Sequence, residues 1–452
     1  MLARIRSRRA ISRALTTTMA GGVAFQLTLL VSGVCLARAL GPENRGYMAL
    51  LTLVIAIAWQ LGALGIPYAL TYAIARAPSA ARRIMVSLRG PIMIQAALAA
   101  IAAALVLGLL TVEKPRYVQI GAAMTVLVVV PTIYQRCGFG VLQGLRKFMS
   151  FNVFRVAPNA TFAGIAAVLL AANVHDLIPY ASAWALSQAI FAPFTMHAAK
   201  KAAASLDTGV GHQPPREAVL KFGRRSMFSG APPVETYRLD QSIVALFLAP
   251  TALGYYVAAL AFTNLPRFIA QSFGLVANPV VASRPTHEAA KRSMWRFFWL
   301  SVPFYLSLIV ALWLAAPFLV RFFFGDAFSR AGGISRILLV ATALFCARRV
   351  LADAARGAGY PGIGSIAEIA AFVSVFPLFA AFVPLWNIKG VAYALVVSST
   401  IALAILVLGL LRAASTGRTP IGWSEIRARE GRPEGDALPP TQAPGPAFTS
   451  SQ

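Results

Sequence analysis

Arginine side chains lie within long apolar stretches of this 452-residue sequence, at Arg136, Arg155, Arg238 and Arg267. A charge deep in a lipid bilayer costs at least about 2.5–3.5 kcal/mol on insertion scales, so each one requires a reason. Guanidinium groups bind phosphate through paired hydrogen bonds and stay charged when water is removed. We therefore expect a cationic cavity for an anionic head group. The alternatives are internal salt bridges and, for Arg155 near the start of its predicted helix, a side chain that reaches the membrane interface.

Two of these arginines have polar neighbours on the same helix face. In each case one polar residue lies three positions before the arginine and another lies four positions after it. These side chains are Asn264 and Gln271 around Arg267, and Asn152 and Asn159 around Arg155. Residues at this spacing lie on one side of a helix, and a polar side within a membrane is expected to line a wet cavity. We therefore include all four among the candidate substrate-binding residues.

Acidic residues within apolar stretches are candidates for ion coupling. Glu235 and Asp240 lie near Arg238, and Glu368 lies in a later stretch. The pair Pro232-Pro233 predicts a kink or break beside Glu235, and a broken helix can offer backbone carbonyls to an ion. We expect Glu235 or Asp240, together with Glu368, to take up Na⁺ or H⁺.

Neutralisation of neighbouring arginines is the alternative role for these acidic residues. Glu235 precedes Arg238 by three residues, and Arg349 precedes Asp353 by four, and both spacings suit ion pairs within a helix. For Asp353 we favour the ion pair. For Glu235 and Asp240 the two roles remain open.

The composition is that of a membrane protein that crosses the bilayer many times. Apolar residues make up 58% of the chain and charged residues only 12%, against roughly 25% charged in soluble domains. Helical spans are predicted at 17–38, 46–73, 90–110, 117–142, 151–172, 177–198, 226–248, 251–281, 295–320, 334–355, 362–386 and 390–411. The sequence therefore predicts an all-α protein with about twelve transmembrane helices.

The basic residues are distributed over short loops and predict the orientation of the chain. The net charge is +26, but no soluble basic patch indicates a nucleic-acid partner. With both termini in the cytoplasm, 27 Lys and Arg residues lie on the cytoplasmic side and 8 on the opposite side, as the positive-inside rule requires. A cleaved signal peptide is the alternative for the N-terminus, but its apolar run is longer than such peptides carry.

The sequence contains an internal repeat. Leu40-Gly41-Pro42 followed by Gly46-Tyr47 returns 208 residues later as Leu248-Ala249-Pro250 followed by Gly254-Tyr255. The matching basic loops lie on one side of the membrane, so the repeat is parallel and each half has six spans. We predict an N-terminal lobe at 1–198, a cytoplasmic linker at 199–221, a C-terminal lobe at 222–412 and a disordered cytoplasmic tail at 413–452.

Other kinds of site are not indicated. The four histidines and three cysteines show no metal-ligand spacing, and the loops opposite the linker are too short to hold the acceptor of a glycan polymerase. The glycines of 357–362 match a dinucleotide fingerprint as a string but join two membrane helices. We expect no enzymatic activity, no metal and no cofactor other than a coupling ion.

The segment 38–47, RALGPENRGY, resembles the start of polysaccharide flippases, the lipid-linked oligosaccharide exporters of the multidrug/oligosaccharidyl-lipid/polysaccharide exporter superfamily. The segments 238–256 and 143–148 are similar to the second-lobe start and to a cytoplasmic turn of the same family. The resemblance covers nearly the whole chain except the tail. It implies two six-helix lobes with alternating access, cavity arginines that face the diphosphate and sugars, and a bacterial cytoplasmic membrane. Many members have 14 spans, whereas this chain has twelve.

The sequence and the resemblance together predict a flippase for an undecaprenyl-diphosphate-linked oligosaccharide in surface polysaccharide biosynthesis. Its partners would be the lipid-linked glycan, membrane lipid and other polysaccharide-assembly proteins. A multidrug cation antiporter of the same fold is the main alternative, although an organic cation would favour acidic rather than basic residues. A non-transporting assembly scaffold is a further alternative.

Overall fold

The chain is helical throughout the residues that the structure describes. The computed structural model describes residues 2–207, 215–226, 233–282, 284 and 286–415. Within these ranges there is no β-strand, which confirms the predicted all-α fold. The α-helices in chain order are α1 (Leu2–Gly62), α2 (Ile66–Arg76), α3 (Ala81–Thr111), α4 (Arg116–Val126), α5 (Val129–Gly144), α6 (Phe148–Ala171), α7 (Leu177–Ala204), α8 (Arg216–Ser226), α9 (Pro233–Thr236), α10 (Leu239–Phe247), α11 (Pro250–Leu260), α12 (Asn264–Ala282), α13 (His287–Phe324), α14 (Ala331–Gly357) and α15 (Pro361–Ser415).

Kinks at residues with positive φ divide the two longest helices. α1 changes direction at Gly41 (φ 65°) and α15 at Asn387 (φ 50°), so each contains two of the predicted spans. Glycine adopts a positive φ without steric cost, whereas Asn387, with ψ −129°, lies outside the left-handed helical region and stores strain at the kink. The second of the spans in α1 continues into α2. Three other predicted spans are each built from two shorter helices, namely the fourth (α4 and α5), the seventh (α9 and α10) and the eighth (α11 and α12).

The surface of the bundle is suited to lipid. Six helical segments among the described residues are long and apolar enough to cross a membrane, and two of them, Ala20–Gly62 and Gly362–Ala413, contain 43 and 52 residues. One crossing needs about 20 residues, so each of these two can cross twice. Large apolar side chains also point outwards, with Leu109 78% and Leu127 75% exposed. The protein is a multi-pass membrane protein.

The helices form two groups that correspond to the two halves of the repeat. In the first half α1 packs against α6, and α5 against α2 and α7. In the second half α14 packs against α12, α13 and α15. The main contact between the halves joins α1 to α11.

The repeated motif lies at this contact. A Cβ atom on Gly46 would overlap the carbonyl oxygen of Pro250, and one on Gly254 would overlap the carbonyl oxygen of Pro42. Each half thus presents its glycine to the proline carbonyl of the other, which is the reciprocal pattern that two-fold symmetry produces. We call this end of the bundle the motif end and the opposite end, which carries α2 and α8, the linker end.

Arg38 forms a second contact between the halves at the motif end. Its Nε donates a hydrogen bond to the carbonyl oxygen of Phe323 at 2.8 Å, and its guanidinium also donates to that of Phe322. Both carbonyls belong to the last turn of α13, where a helix has no internal donors for them. The positive charge suits the negative end of the helix dipole, so Arg38 of the first half caps a helix of the second.

The part of the predicted linker that the structure describes is helical. α7 continues to Ala204, and α8 packs against α2 and α3 of the first half. A Cβ atom on Gly65 would overlap the carbonyl oxygen of Gly223, so α8 lies directly on the break between α1 and α2. Residues 208–214 and nearly all of the predicted tail, from 416 onwards, lie outside the described residues. The boundaries of the lobes and of the linker stay a prediction.

Candidate functional site

A cavity of about 640 Å³ lies between the two halves. Its wall is formed by α1 and α5–α7 of the first half and by α9–α15 of the second, where α13 contributes only Phe324. Cavities of this size accommodate small molecules or the head groups of larger ones. The reciprocal contact of Gly46 and Gly254 brings the two halves together at the motif end, next to Arg45 of the cavity wall.

Five arginines line the cavity. They are Arg45, Arg136, Arg155, Arg238 and Arg267. The structure thus brings together the four arginines predicted from the sequence, although they lie on four different helical segments. No salt bridge among the described residues involves any of the five.

Arg45 is the cavity arginine that the sequence analysis missed. The second span was predicted to start at residue 46, which left Arg45 among the loop residues. In the structure α1 resumes directly after Gly41, so Arg45 lies in the first turn of the part of α1 that follows this kink. Arg45 follows Gly41 by only about one helical turn. A helix that restarts directly after the glycine therefore already includes Arg45, and this spacing could have placed it within the span.

Aromatic rings support three of the cavity arginines. The guanidinium carbon of Arg136 lies 4.1 Å from the ring centroid of Trp59, that of Arg155 lies 4.8 Å from Phe25, and that of Arg267 lies 5.1 Å from Phe345. A cation over a ring face is attracted by the ring quadrupole. Because this contact uses the face of the guanidinium, the N–H groups at its edge remain available for a ligand.

Two of these arginines have buried donors without acceptors. The Nε atoms of Arg136 and Arg267 are buried and have no hydrogen-bond partner among the described residues. A buried donor without a partner is costly, and such groups are rare in folded proteins. Both arginines line the cavity, so their incompletely paired guanidinium groups lie at its wall.

Arg238 lies at a break in the seventh predicted span. Its backbone is left-handed (φ 48°, ψ 46°), between α9 and α10. A non-glycine residue in this region stores of order 1–3 kcal/mol of strain, and such strain is concentrated at functional sites. The break occurs a few residues after Pro232-Pro233, the pair from which a kink or break beside Glu235 was predicted. Arg238 is exposed and lines the cavity.

The predicted polar residues are divided between the cavity and its surroundings. Asn159 and Asn264 line the cavity. Asn152 and Gln271 do not line the cavity. Asn152 is 4% exposed and packs against Gly21, whereas Gln271 is exposed. Polar lining residues that the sequence analysis did not select are Gln26, Gln135, Gln188 and Gln241.

The acidic candidates have partners that the sequence did not indicate. Asp240 is 9% exposed and accepts a hydrogen bond of 2.8 Å from the hydroxyl of Tyr256. Arg348 on α14 lies 3.9 Å from Glu235 and 3.4 Å from Glu368. Of the alternatives left open for Glu235, the ion pair with Arg238 is not formed among the described residues, because the break at Arg238 interrupts the helical spacing on which that pair depends.

Asp353 is neutralised within its own helix, as expected. Its carboxylate lies 3.0 Å from Arg349 and 3.0 Å from Arg356. α14 is continuous through these residues, so the helical spacing holds there. Arg348, the neighbour of Arg349, points the other way and joins the cluster with Glu235 and Glu368.

The fold is similar to that of solved transporters. An inward-facing multidrug resistance MATE family transporter of the MOP superfamily is 17% identical, with a TM-score of 0.67 over 89% of this chain and 99% of that chain. The lipid II flippase MurJ in an inward closed conformation is 13% identical, with a TM-score of 0.63 over 92% and 95%. A MOP superfamily transporter from Pyrococcus furiosus, described as having a binding pocket of reverse polarity, is 17% identical, with a TM-score of 0.63 over 91% and 96%. These likenesses show the twelve-helix fold with two related lobes.

The sequence has no match among curated proteins. A family model does match, and its description is "Polysaccharide biosynthesis protein". The match extends over residues 35–332, about two thirds of the chain, and includes both copies of the repeated motif and all five cavity arginines. The protein therefore belongs to the polysaccharide biosynthesis protein family.

Proposed function

We propose that the protein is a flippase that moves a polyprenyl-diphosphate-linked oligosaccharide across the bacterial cytoplasmic membrane by alternating access, for the synthesis of a surface polysaccharide. The observation that carries this proposal is the set of cavity arginines without salt-bridge partners. A diphosphate offers several anionic oxygens to guanidinium groups, and each can accept paired hydrogen bonds. Family membership supplies the polysaccharide context.

The closure at the motif end supports a cavity that loads from the linker end. The halves meet closely through Gly46 and Gly254, and Arg38 joins them beside that contact. The positive-inside rule assigns the linker end to the cytoplasm, where a lipid-linked glycan is assembled on the inner leaflet. The structure would then represent the loading state, and opening at the motif end would release the glycan outside.

Ion coupling through Glu235, Asp240 and Glu368 remains part of the proposal. Glu235 and Asp240 line the cavity, and Glu368 is joined to it through Arg348. A cation that binds one conformation better than the other would drive the exchange between them. The cavity itself is the place where ion and substrate would influence each other.

A multidrug cation antiporter is the second candidate, because one of the similar folds is a multidrug resistance transporter. The cavity charge argues against it. Five arginines line the cavity, whereas the two lining carboxylates already have partners in Tyr256 and Arg348. An organic cation would have to enter a positively charged cavity.

The decisive experiment is transport in proteoliposomes. A fluorescent undecaprenyl-diphosphate oligosaccharide is the substrate, and wild type is compared with Arg238→Gln and Arg267→Gln, with and without a pH or Na⁺ gradient. We expect wild type to flip the lipid and each variant to lose at least about tenfold in rate, since one charged hydrogen bond is worth roughly 1.5–3 kcal/mol.

Arg336→Gln is the matched control. Arg336 is half-buried, lies over Trp313 at 4.7 Å and does not line the cavity, so its loss should leave the rate unchanged. Wild type that flips no glycan but takes up a cationic dye under a gradient would establish the antiporter instead. Arginine variants that transport at the wild-type rate would remove the arginines from the substrate site.

A further inference from the structure

Arg348 lies between two carboxylates that come from two other helices. Its Nη2 atom lies 3.4 Å from Oε2 of Glu368 on α15 and 3.9 Å from Oε1 of Glu235 on α9. The side chain of Arg348 is 2% exposed, so water does not replace these contacts. One guanidinium neutralises one carboxylate, and the cluster of Glu235, Arg348 and Glu368 is left with one negative charge in excess when both carboxylates are ionised.

Polar atoms of this cluster lack partners among the residues that the structure describes. They are Oε2 of Glu235 and the Nε and Nη1 atoms of Arg348, and all three are buried. The arginine is therefore held between the carboxylates without full hydrogen bonding. Loss of charge at one of the two carboxylates would remove the excess negative charge of the cluster.

The cluster adjoins the wall of the cavity. Glu235 itself lines the cavity, whereas Arg348 and Glu368 lie behind it. The ring of Phe345 contacts the guanidinium of Arg348 at 5.6 Å and that of Arg267 at 5.1 Å. Phe345 thus contacts both the arginine of the cluster and an arginine of the cavity.

The other charged groups around the cluster are already paired or belong to the cavity. On α14, Arg349 and Asp353 face Glu368 and form their own ion pair, which Arg356 joins. Tyr256 on α11 faces Glu235 and donates to Asp240. Arg267 on α12 lies near Tyr256 and has no carboxylate partner among the described residues. Arg348 is therefore the cation on which both Glu235 and Glu368 depend.

We propose that Arg348 is a resident counter-cation that fills the place between Glu235 and Glu368 where a metal cation would otherwise bind, so that this cluster exchanges a proton and not Na⁺. A guanidinium at 3.4 Å from one carboxylate repels a metal cation from the same space, whereas a proton binds covalently to a single oxygen. That proton exchange drives transport rests on the proposed function. The exclusion of Na⁺ from the cluster by Arg348 does not.

Proton binding at Glu235 would weaken its contact with Arg348. Glu235 lies on α9, a single turn that ends two residues before the strained residue Arg238. Loss of the contact would free this turn from α14 and allow the break at Arg238 to change its angle. Proton binding at Glu235 and the position of Arg238 would in this way be coupled through α9.

The test measures Na⁺ binding without any glycan. The melting temperature of the purified full chain in detergent is compared in NaCl, KCl and choline chloride at equal ionic strength. We expect wild type to melt at the same temperature in all three salts. Arg348→Gln leaves two carboxylates around an empty space, so it should melt about 3 °C higher in NaCl than in choline chloride, as expected for a cation that binds only the folded state.

Two variants control for the loss of charge. Arg348→Lys retains a cation and should behave like wild type. Arg349→Gln removes the neighbouring arginine, whose partner is Asp353, and should gain no response to Na⁺. Melting of wild type that rises in NaCl alone would overturn the proposal, as would a folded Arg348→Gln protein that is indifferent to Na⁺.

Wild type alone decides the matter if Arg348→Gln does not fold. Glycan flipping driven by a pH gradient but not by a Na⁺ gradient, with no Na⁺ effect on melting, supports the proposal, and flipping driven by Na⁺ overturns it. Failure to flip glycan under either gradient while Arg348→Gln gains its Na⁺ response would reject the proposed function and leave the counter-cation assignment standing.

Discussion

Arg136 lies over the indole ring of Trp59, with 4.1 Å between the guanidinium carbon and the ring centroid. At this distance the ring both attracts the cation and fixes the plane of the guanidinium. Arg136 lines the cavity, so the ring holds in place a cation that an anionic ligand could meet there. Loss of the Trp59 ring is therefore expected to weaken substrate binding.

Replacement of Trp59 by Ala should weaken the binding of the lipid-linked glycan by about threefold to thirtyfold, because a cation–π contact contributes roughly 0.5–2 kcal/mol. Trp59→Phe retains a smaller ring and should lose less. The measurement is the Kd of undecaprenyl-diphosphate oligosaccharide in detergent by titration calorimetry.

Trp313→Ala is the matched control for Trp59→Ala. It removes the ring under Arg336, a pair of similar geometry at 4.7 Å that lies outside the cavity. Binding by this variant should equal that of wild type. Equal affinities for Trp59→Ala and wild type, with reduced affinity for Arg136→Gln, would show that Arg136 needs no aromatic support.

At the scale of elements, the contact between α1 and α11 determines which end of the cavity is closed. Gly46 and Gly254 each face a proline carbonyl of the opposite half so closely that a Cβ atom does not fit. Opening at the motif end would separate the halves and relieve this restriction. Side chains at these positions are therefore compatible with the open state and incompatible with the closed one.

Gly46→Ala should disfavour closure at the motif end and reduce the rate of flipping at least about tenfold while protein levels hold. The added Cβ overlaps a backbone carbonyl, which cannot rotate away as a side chain can. Gly254→Ala should have the same effect, because the contact is reciprocal. The measurement is flipping in proteoliposomes at matched protein content.

Gly33→Ala is the control for these glycine variants. Gly33 lies in α1 and lines the cavity, but a Cβ atom there meets nothing within 4 Å. Alanine is the better helix former by roughly 1 kcal/mol, so this variant should be stable and active. Normal flipping by Gly46→Ala would show that the close contact is not required for transport.

At the scale of the whole molecule, the closed motif end and the distribution of basic loops together predict one-sided access to the cavity. The three natural cysteines, Cys35, Cys137 and Cys346, are all buried, so their background labelling should be low. Gln188 lines the cavity and can be replaced by cysteine as a probe.

Gln188→Cys should react with a membrane-impermeant thiol reagent from the cytoplasmic side and at least about tenfold more slowly from the outside, when the chain is closed at the motif end. Labelling in inside-out and right-side-out vesicles measures the difference. Glu113→Cys in the loop after α3 at the motif end and Leu206→Cys after α7 at the linker end report the sidedness of each preparation. Equal labelling of Gln188→Cys from both sides would contradict the closed motif end.

Much of the architecture was predictable from the chain itself. The lengths of the apolar stretches predicted the spans, and the repeated motif predicted two related halves, because both depend only on residue order. Spacing within one helix also predicted the pair of Arg349 and Asp353, since residues four apart on a continuous helix are neighbours. The four predicted cavity arginines could be selected because a charge is costly wherever a lipid bilayer surrounds a span.

Only the tertiary structure decided which residues face one another across helices. The pairing of Arg348 with Glu235 and Glu368, the contact of Tyr256 with Asp240, and the place of Arg45 in the cavity were not indicated by sequence spacing. Helical periodicity relates residues on one continuous helix, and it fails at a break such as Arg238 and between separate helices. In lipid, moreover, apolar residues cover outward and inward faces alike, so composition does not reveal which side of a helix meets its neighbour.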